Sequence, residues 1–203
     1  MVSALRTEGF EGPIEVSFEG LPDGIEGSSG VIQPDEDSVT LILSHRLGTQ
    51  LPNNWARYRI VAKAKIGEAP ALRVANGGDL LKVISLMPKP DIKVYAKTLK
   101  VRLTPGGEAK ATLAIERDNG FKGRVLFRIQ DLPFGVRPTN VGLNGIMIPE
   151  NETERTITLD CRPWVKPTNK PIYAVGLVEA LVQTEHPSIP ITLEIVGAER
   201  ASK

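Results

Sequence analysis

The stretch Gly120–Val136, GFKGRVLFRIQDLPFGV, decides the fold because a weaker copy, GFEGPIEVSFEGLPDGI, stands at Gly9–Ile25. Six positions are identical in the two copies: the Gly, Phe and Gly of GFxG and the Leu, Pro and Gly of LPxG. In the first copy Ile14, Val16 and Phe18 alternate with polar residues, which is the period of a half-buried strand. Each copy therefore predicts a strand between two corners, and the repetition predicts two tandem β-sandwich modules.

The boundary between the modules is predicted at the closely spaced prolines Pro88 and Pro90. These prolines stiffen the chain and withhold two backbone donors, which stops one sheet from running on into the next. The expected domains are residues 1–88 and 89–203. Each is long enough to bury a β-sandwich core without help from a metal or a disulfide.

Composition excludes several classes of function. Lys plus Arg (25) nearly balance Asp plus Glu (24), so nothing supports the clustered basic face that nucleic-acid binding needs. No apolar run reaches the roughly 18 residues of a membrane-spanning helix, so no membrane insertion is expected in this segment. The single cysteine, Cys161, excludes an intramolecular disulfide and is predicted to be a small core residue.

The two modules differ before the motif. Asp91–Lys110 precedes the strand that leads into the second GFxG, whereas only Met1–Glu8 precedes the first. The first sandwich is therefore expected to lack its opening strand, which leaves a sheet edge open to another strand. We expect the chain to be cut from a longer tandem array, with this edge bare or covered by a neighbouring molecule.

The motif residues also have a structural interpretation. Phe10 and Phe121 are expected to plug one end of each core, where the glycines beside them let the chain turn sharply. Leu132 and Pro133 of LPxG are expected to bury a side chain at the opposite end and to stop the strand's hydrogen bonding.

The pattern GFxGxVxLxVxxLPxGV, followed by a Pro-led turn, a TxTL-type strand and a late strand like YAVGLVEA, resembles bacterial immunoglobulin-like repeat modules. The resemblance covers nearly the whole chain. It implies an all-β fold of two tandem immunoglobulin-like antiparallel Greek-key sandwiches, each of about seven strands. Such modules occur in large secreted or cell-surface proteins, often beside peptidase, pre-peptidase or adhesin domains. The resemblance thus implies a secreted or cell-envelope location, with neighbouring modules of the same parent chain as partners.

No catalytic constellation is found, and neither a cofactor nor a metal is predicted. His45 and His186 are the only histidines, and neither has a neighbour at zinc-ligand spacing. His186 precedes Pro187 and is predicted to lie at the surface, in a turn or at a strand end. The GxSxG, HExxH, Walker and dinucleotide-binding motifs are all absent. The chain is therefore not expected to be an enzyme.

Acidic turns occur at matching places in the two modules, Asp35-Glu36-Asp37 and Glu150-Asn151-Glu152. Calcium prefers oxygen ligands of this sort. A solvated hairpin turn is the favoured interpretation, because three adjacent side chains cannot all reach one ion without partners from another loop.

The two tryptophans, Trp55 and Trp164, are the candidate ligand-binding residues. Both are predicted in corresponding loops before the penultimate strands, where paired indoles could stack on sugar rings. Each could equally cap the core of its own module.

The leading hypothesis is a non-catalytic spacer or interaction segment of a larger bacterial extracellular or cell-envelope protein. The alternatives are a carbohydrate- or protein-binding module and an accessory region of a secreted peptidase or other hydrolase.

Overall fold

The computed structural model describes residues 1–46, 48–50, 55–75, 82–84, 86, 89–179 and 183–197, with the backbone alone at 55–56 and 82–83. All regular structure in these ranges is β-strand, as the sequence predicts. No helix in the described ranges is long and apolar enough to cross a membrane. The chain divides into two compact units, Met1–Pro88 and Lys89–Lys203, called here the first and the second unit. Pro88 itself lies outside the described residues.

The first unit consists of short strands. They are β1 (Val2–Ser3), β2 (Ile14–Glu19), β3 (Ile25–Gly27), β4 (Gly30–Ile32), β5 (Ser38–Val39), β6 (Leu43–His45), β7 (Trp55–Ala56), β8 (Arg59–Ile66), β9 (Ala69–Val74) and β10 (Lys82–Val83). Its main sheet has the order β4-β2-β8-β9, and β1-β5, β3-β6 and β10-β7 form separate pairs. The sequence predicts one strand through Val39, Leu41 and Leu43, but the chain forms two, β5 and β6, which pair with different partners.

The second unit is built from longer strands. They are β11 (Ile92–Ala96), β12 (Lys100–Leu103), β13 (Glu108–Arg117), β14 (Val125–Gln130), β15 (Val136–Pro138), β16 (Ile146–Ile148), β17 (Glu154–Cys161), β18 (Thr168–Val178), β19 (Thr184–Pro187) and β20 (Ile191–Ile195). One sheet has the order β11-β13-β17-β15, and the other has the order β12-β20-β18-β14-β16, with β19 also paired to β18. The residues between the boundary and β13 thus form two strands, β11 and β12, that belong to different sheets.

The core of the second unit lies between these two sheets. Its cluster of buried residues includes Leu113 and Ile157 from one sheet and Ile172 and Leu193 from the other, all at most 1% exposed. Cys161 belongs to the same cluster at 1% exposure, which confirms the prediction of a small core residue. Apolar residues at alternate positions of facing strands therefore close this sandwich.

The corner before each GFxG motif has the same geometry in both units. Asn119 and Gly120 have φ values of 51° and 74°, and the amide of Phe121 donates to the Asp118 carbonyl at 2.9 Å. Two consecutive positive φ values define a type I′ turn, for which Asn-Gly is a favoured pair. In the first unit Glu8, with φ 55°, occupies the position of Asn119.

The motif phenylalanine of the second unit packs against the edge of the core. Phe121 is only partly buried, and its ring lies over Gly123, where an added Cβ would be 2.8 Å from the ring's Cζ atom. Phe10 lies over Gly12 in the same way, with a distance of 2.6 Å. The second glycine of GFxG is needed because the ring occupies the space of its side chain. Leu132 also packs only partly buried against the core.

An arginine three residues before each motif links its corner to the next turn. Arg117 donates to the carbonyls of Gly123 and Pro149, at 3.1 and 2.6 Å. Arg6 donates to the carbonyls of Gly12 and Gln33, at 2.6 and 2.7 Å. These charge-assisted bonds hold two loops together in each unit.

The first unit opens differently from the second. Its β1 is two residues long and pairs with β5, whereas β13 is a long strand that pairs with both β11 and β17. Within the described residues of the first unit no strand corresponds to β11 or to β12. This agrees with the expected lack of an opening strand.

Candidate functional site

Phe134 is exposed by the turn that follows β14. The amide of Val136 donates to the Pro133 carbonyl at 2.9 Å, and Gly135 has a φ of 93°. A single positive φ at the third position makes this a type II turn, in which glycine is favoured. Phe134 is the second residue of the turn and is 86% exposed. The sequence alone does not identify this phenylalanine as a candidate site residue, because LPFG predicts only a turn.

Trp164 lies against Phe134 at the same end of the second unit. Its turn is closed by the amide of Val165, which donates to the Arg162 carbonyl at 3.1 Å. The Phe134 and Trp164 ring centroids are 5.2 Å apart and the ring planes are inclined by 41°. A Cβ added at Gly135 would lie 2.5 Å from Cη2 of Trp164, so the glycine is what lets the indole lie over the turn.

The indole is not the core cap that the sequence leaves open as one interpretation. Trp164 is 58% exposed, and Phe134 beside it exposes still more of its surface. Exposed, mutually packed aromatic side chains offer apolar contact area with little conformational freedom to lose on binding. We call Phe134 and Trp164 the aromatic pair.

Charged side chains lie next to the aromatic pair in the chain. Nε of Arg137 is 3.6 Å from Oδ2 of Asp160, and Nε of Arg162 is 3.9 Å from the same atom. Oδ2 is inaccessible to solvent and accepts no hydrogen bond from the described residues. The carboxylate is therefore held between two cations, and the guanidinium groups retain donors for other partners.

The two tryptophans are not equivalent, contrary to the prediction. The amide of Arg46 donates to the Gly24 carbonyl just as that of Arg162 donates to the Gly135 carbonyl. This register places Gly48 at the position of Trp164. Trp55 instead begins strand β7, where it pairs with Val83, and its side chain is outside the described part of the chain. Trp55 and Trp164 therefore do not occupy equivalent backbone positions.

The first unit has no counterpart of the aromatic pair. Asp23 occupies the place of Phe134 in an equivalent turn, closed by the Ile25 amide and the Pro22 carbonyl at 3.1 Å. Gly48 occupies the place of Trp164. The candidate site therefore belongs to the second unit alone.

The acidic turns do not assemble a cluster of ligands. No group of three His, Cys, Asp or Glu side chains suited to a metal is present in the described part of the chain. At the second turn, the carbonyl oxygens of Pro149 and Glu152 both accept hydrogen bonds from Arg117. A guanidinium at this position disfavours a cation on the same oxygens.

The remaining candidate groups are dispersed. His45 is exposed in β6, and its Nδ1 lies 3.0 Å from the Arg46 carbonyl. Burial raises the pKa of the Cys161 thiol, so the reactive thiolate form is disfavoured. His186 is half-buried in β19, with Nε2 2.9 Å from the Thr184 hydroxyl, and so is less exposed than its predicted surface position.

The second unit is expected to lose stability in acid through His186. Burial lowers the pKa of His186 below its ordinary value of 6.5, although nearby Asp91 opposes the shift. The unfolded chain then binds the proton more readily, so this contribution is complete above about pH 6.5 and is lost as pH falls through the lower folded value. Urea titrations between pH 5 and 8 should show this slope, and His186→Gln should flatten it. An unchanged slope in the variant contradicts the assignment.

Comparisons with known proteins leave the family open. No protein-family model matches the chain, and no curated protein matches it. Among solved structures, the crystal structure of the S-layer protein SbsC domains 4 and 5 aligns over 89% of this chain and 70% of its own, with 16% identity and a TM-score of 0.33. The structure of the surface layer protein SbsC, domains 4–9, aligns over 93% of this chain and 31% of its own, with 14% identity and a TM-score of 0.34. Likenesses this weak identify neither a family nor a function.

Proposed function

We propose that the chain is a non-catalytic structural segment that acts as a spacer in a larger extracellular or cell-envelope protein. The observation that carries the proposal is the parallel pairing of β12 with β20 in the second unit. This pairing joins the entry of the unit to its exit.

The β12–β20 ladder is arranged to resist tension along the chain. It is extended at one end by the Thr192 amide, which donates to the Leu99 carbonyl at 2.8 Å, and at the other by the Val196 amide, which donates to the Leu103 carbonyl at 3.0 Å. In a parallel pair, the start of one strand and the end of the other lie at opposite ends of the ladder. Tension applied to those ends slides the strands along each other, so all the hydrogen bonds resist together.

The entry into the second unit is also fastened to the sandwich. Nζ of Lys89 is 2.7 Å from Oδ1 of Asp118, and the side-chain amide of Asn119 donates to the Lys89 carbonyl at 2.7 Å. The same amide donates to Oδ1 of Asp91 at 3.0 Å. These contacts tie the segment that follows the boundary to the corner before GFxG.

Cross-strand ion pairs cover the outward faces of both sheets of the second unit. They join Lys93 to Glu116, Lys97 to Glu154, Lys100 to Glu194, Arg124 to Glu179 and Arg128 to Glu185. Exposed pairs contribute little stability individually. Their alternating charges suit a module that stays separate from copies of itself.

The strand order supports the immunoglobulin-like type within this proposal. The order β11-β13-β17-β15 corresponds to A-B-E-D, and β20-β18-β14 corresponds to G-F-C of the immunoglobulin sandwich. One feature departs from that scheme: β15, at the D position, precedes in the chain β16, which pairs with β14 beside the C position. The extracellular location rests on the resemblance of the motif, and protease accessibility on intact cells tests it.

Single-molecule pulling tests the spacer proposal. When the full chain is pulled from its ends, the second unit is expected to unfold at a force several-fold higher than when it is pulled from handles at Leu99→Cys and Ile189→Cys. Both handle positions are exposed and lie near the same end of the β12–β20 ladder, so the second geometry breaks its bonds one at a time. Equal forces in the two geometries would show that the ladder is not arranged to bear load.

The aromatic pair favours a second candidate function, the binding of a glycan. Its rings offer faces for stacking, and the guanidinium groups of Arg137 and Arg162, close to the pair in the chain, supply donors for hydroxyls. On a panel of immobilised oligosaccharides, Trp164→Ala should reduce retention at least ~10-fold, or about 1.4 kcal/mol. Leu143→Ala, which removes a fully exposed side chain elsewhere in the unit, serves as the control. Absence of retention, or retention that Trp164→Ala does not reduce, rejects a glycan site at the aromatic pair. A protein is then the remaining candidate ligand for the pair.

A further inference from the structure

The strand pairings of the two units allow their inner faces to be compared residue by residue. Glu15 and Leu126 each stand six residues after the first glycine of their motif, and they pair with Lys63 and Leu177 respectively. Ala62 of β8 is therefore equivalent to Gly176 of β18.

Three further pairs follow from the same register. They are Ile60 with Ala174, Ile14 with Val125, and Val2 with Leu113.

In the second unit these positions are buried, and β11 lies directly over one of them, Gly176. Val125, Ala174 and Leu113 are all 0% exposed. A Cβ added at Gly176 would lie 2.7 Å from Cγ2 of Val94 and 3.2 Å from Cδ1 of Ile92. The inward side chains of β11 thus rest directly on this part of the sheet.

In the first unit the same positions are only half covered. Ile14, Ile60, Ala62 and Val2 are all partly exposed, although they are apolar. By contrast Val16, which stands on the same face of the sheet and pairs with Ala62, is only 1% exposed. The difference is therefore local, and it includes Ala62, the equivalent of the Gly176 against which β11 packs in the second unit.

We infer that the first unit accepts an added β-strand, which pairs beside β1 and covers Val2, Ile14, Ile60 and Ala62. We call these four residues the acceptor face. The occupant is a strand-donating peptide segment from outside Met1–Pro88, with apolar side chains at alternate positions and polar ones between them. Addition of a strand satisfies open backbone groups at a sheet edge and buries alternate side chains in the adjoining pockets.

The second unit supplies the template for this occupant. In β11 the side chains of Ile92, Val94 and Ala96 are buried, while Lys93 and Tyr95 point outward. The β11 strand of a second copy is not the donor, because those apolar side chains are already buried within its own second unit.

The acceptor face also specifies the size of the incoming side chains. Ala62 has the methyl group that Gly176 lacks, and that methyl would lie about 2.7 Å from a valine placed as Val94 is. Such a contact is too close for carbon atoms, which prefer about 3.5–4.0 Å. The donor therefore carries a residue smaller than valine at this position.

Peptide binding to the full chain tests the inference. The probes are synthetic peptides of the sequence Asp91–Leu103: the native form, a form with Val94→Ala, and a form with Ile92→Ser and Val94→Ser. The form with Val94→Ala should bind with a Kd in the micromolar range and at least ~10-fold more tightly than the native form. The doubly substituted form should not bind measurably.

Protein variants show where the peptide binds. Ala62→Glu should weaken binding of the Val94→Ala peptide at least ~10-fold, because it places a charge on the acceptor face. Lys65→Glu, on the same strand but exposed, should leave binding unchanged. Hydrogen exchange without peptide verifies that each variant keeps the strands of the first unit.

Two outcomes overturn the inference. One is the absence of saturable binding by the Val94→Ala peptide up to about 1 mM, since weaker association is not specific recognition. The other is binding that Ala62→Glu leaves unchanged, which would place the peptide elsewhere on the chain.

Discussion

The substitution Leu113→Ala is expected to lower the free energy of unfolding of the second unit by about 2–5 kcal/mol. Leu113 is 0% exposed in the middle of β13 and belongs to the core cluster between the two sheets. Its removal takes apolar surface out of the core and leaves a cavity that strands paired on both sides cannot collapse to fill. The loss includes both the transfer free energy and the cavity.

The matched control is Val2→Ala in the first unit. Val2 stands seven residues before its motif glycine, as Leu113 does, but it is only partly buried. Its substitution should cost less than about 1 kcal/mol. Urea unfolding followed by tryptophan fluorescence measures both effects, because Trp55→Phe leaves Trp164 as a reporter of the second unit and Trp164→Phe leaves Trp55 as a reporter of the first. A similar loss in both units would contradict the difference in core closure.

The second large effect is expected for Gly176→Ala, which should destabilise the second unit by about 1–3 kcal/mol through overpacking. The new methyl group would lie within 3.3 Å of Ile92, Val94 and Val125. All three are core side chains at most 8% exposed, so they have little room to move. The unfolding midpoint in urea should fall with no change in the denaturant dependence, because the surface exposed on unfolding is nearly the same.

The reciprocal change in the first unit separates overpacking from backbone effects. Ala62→Gly should cost only about 0.5–1 kcal/mol, the usual penalty for glycine within a strand. If Gly176→Ala proves neutral, β11 does not press on β18 as described.

Much of the fold could be predicted because the repeated motif fixes local structure strongly. The alternation through Ile14, Val16 and Phe18 admits one strand period, and LPxG places a glycine where the turn needs a positive φ. The different openings of the two units could be predicted because different numbers of residues precede the two motifs. Which sheet each strand joins could not be predicted. β15 and β16 join different sheets because each pairs with a different edge strand. Neither three-residue strand has a sequence pattern that predicts its partner.

The aromatic site could be predicted only in part. Trp164 can be selected as a candidate because tryptophan is rare and here stands in a predicted loop. Phe134 cannot, because it occupies the variable position of LPxG, where the first copy has Asp23. The apparent match of Trp55 with Trp164 misleads because the two loops differ in length. The true register is set by two backbone hydrogen bonds, from the Arg46 amide to the Gly24 carbonyl and from the Arg162 amide to the Gly135 carbonyl. Residue types alone do not reveal these bonds.

The sequence carries one further signal, which extends the motif. Arg6 and Arg117 stand at the same spacing before their motifs, so the repeated unit is RxxGFxG rather than GFxG. A charged residue repeated at fixed spacing beside a glycine corner suggests a donor for loop carbonyls, which is the role that both arginines have.

Native-state hydrogen exchange on the full chain tests the central claim most directly. Both units share one framework, but only the second is closed by an opening strand. The amides of Ile60 and Ala62 are expected to exchange at least ~100-fold faster than those of Ala174 and Gly176, a difference of about 2.7 kcal/mol in opening free energy. Equal protection of the two pairs would contradict the claim, because it would mean that the first unit is as well closed as the second.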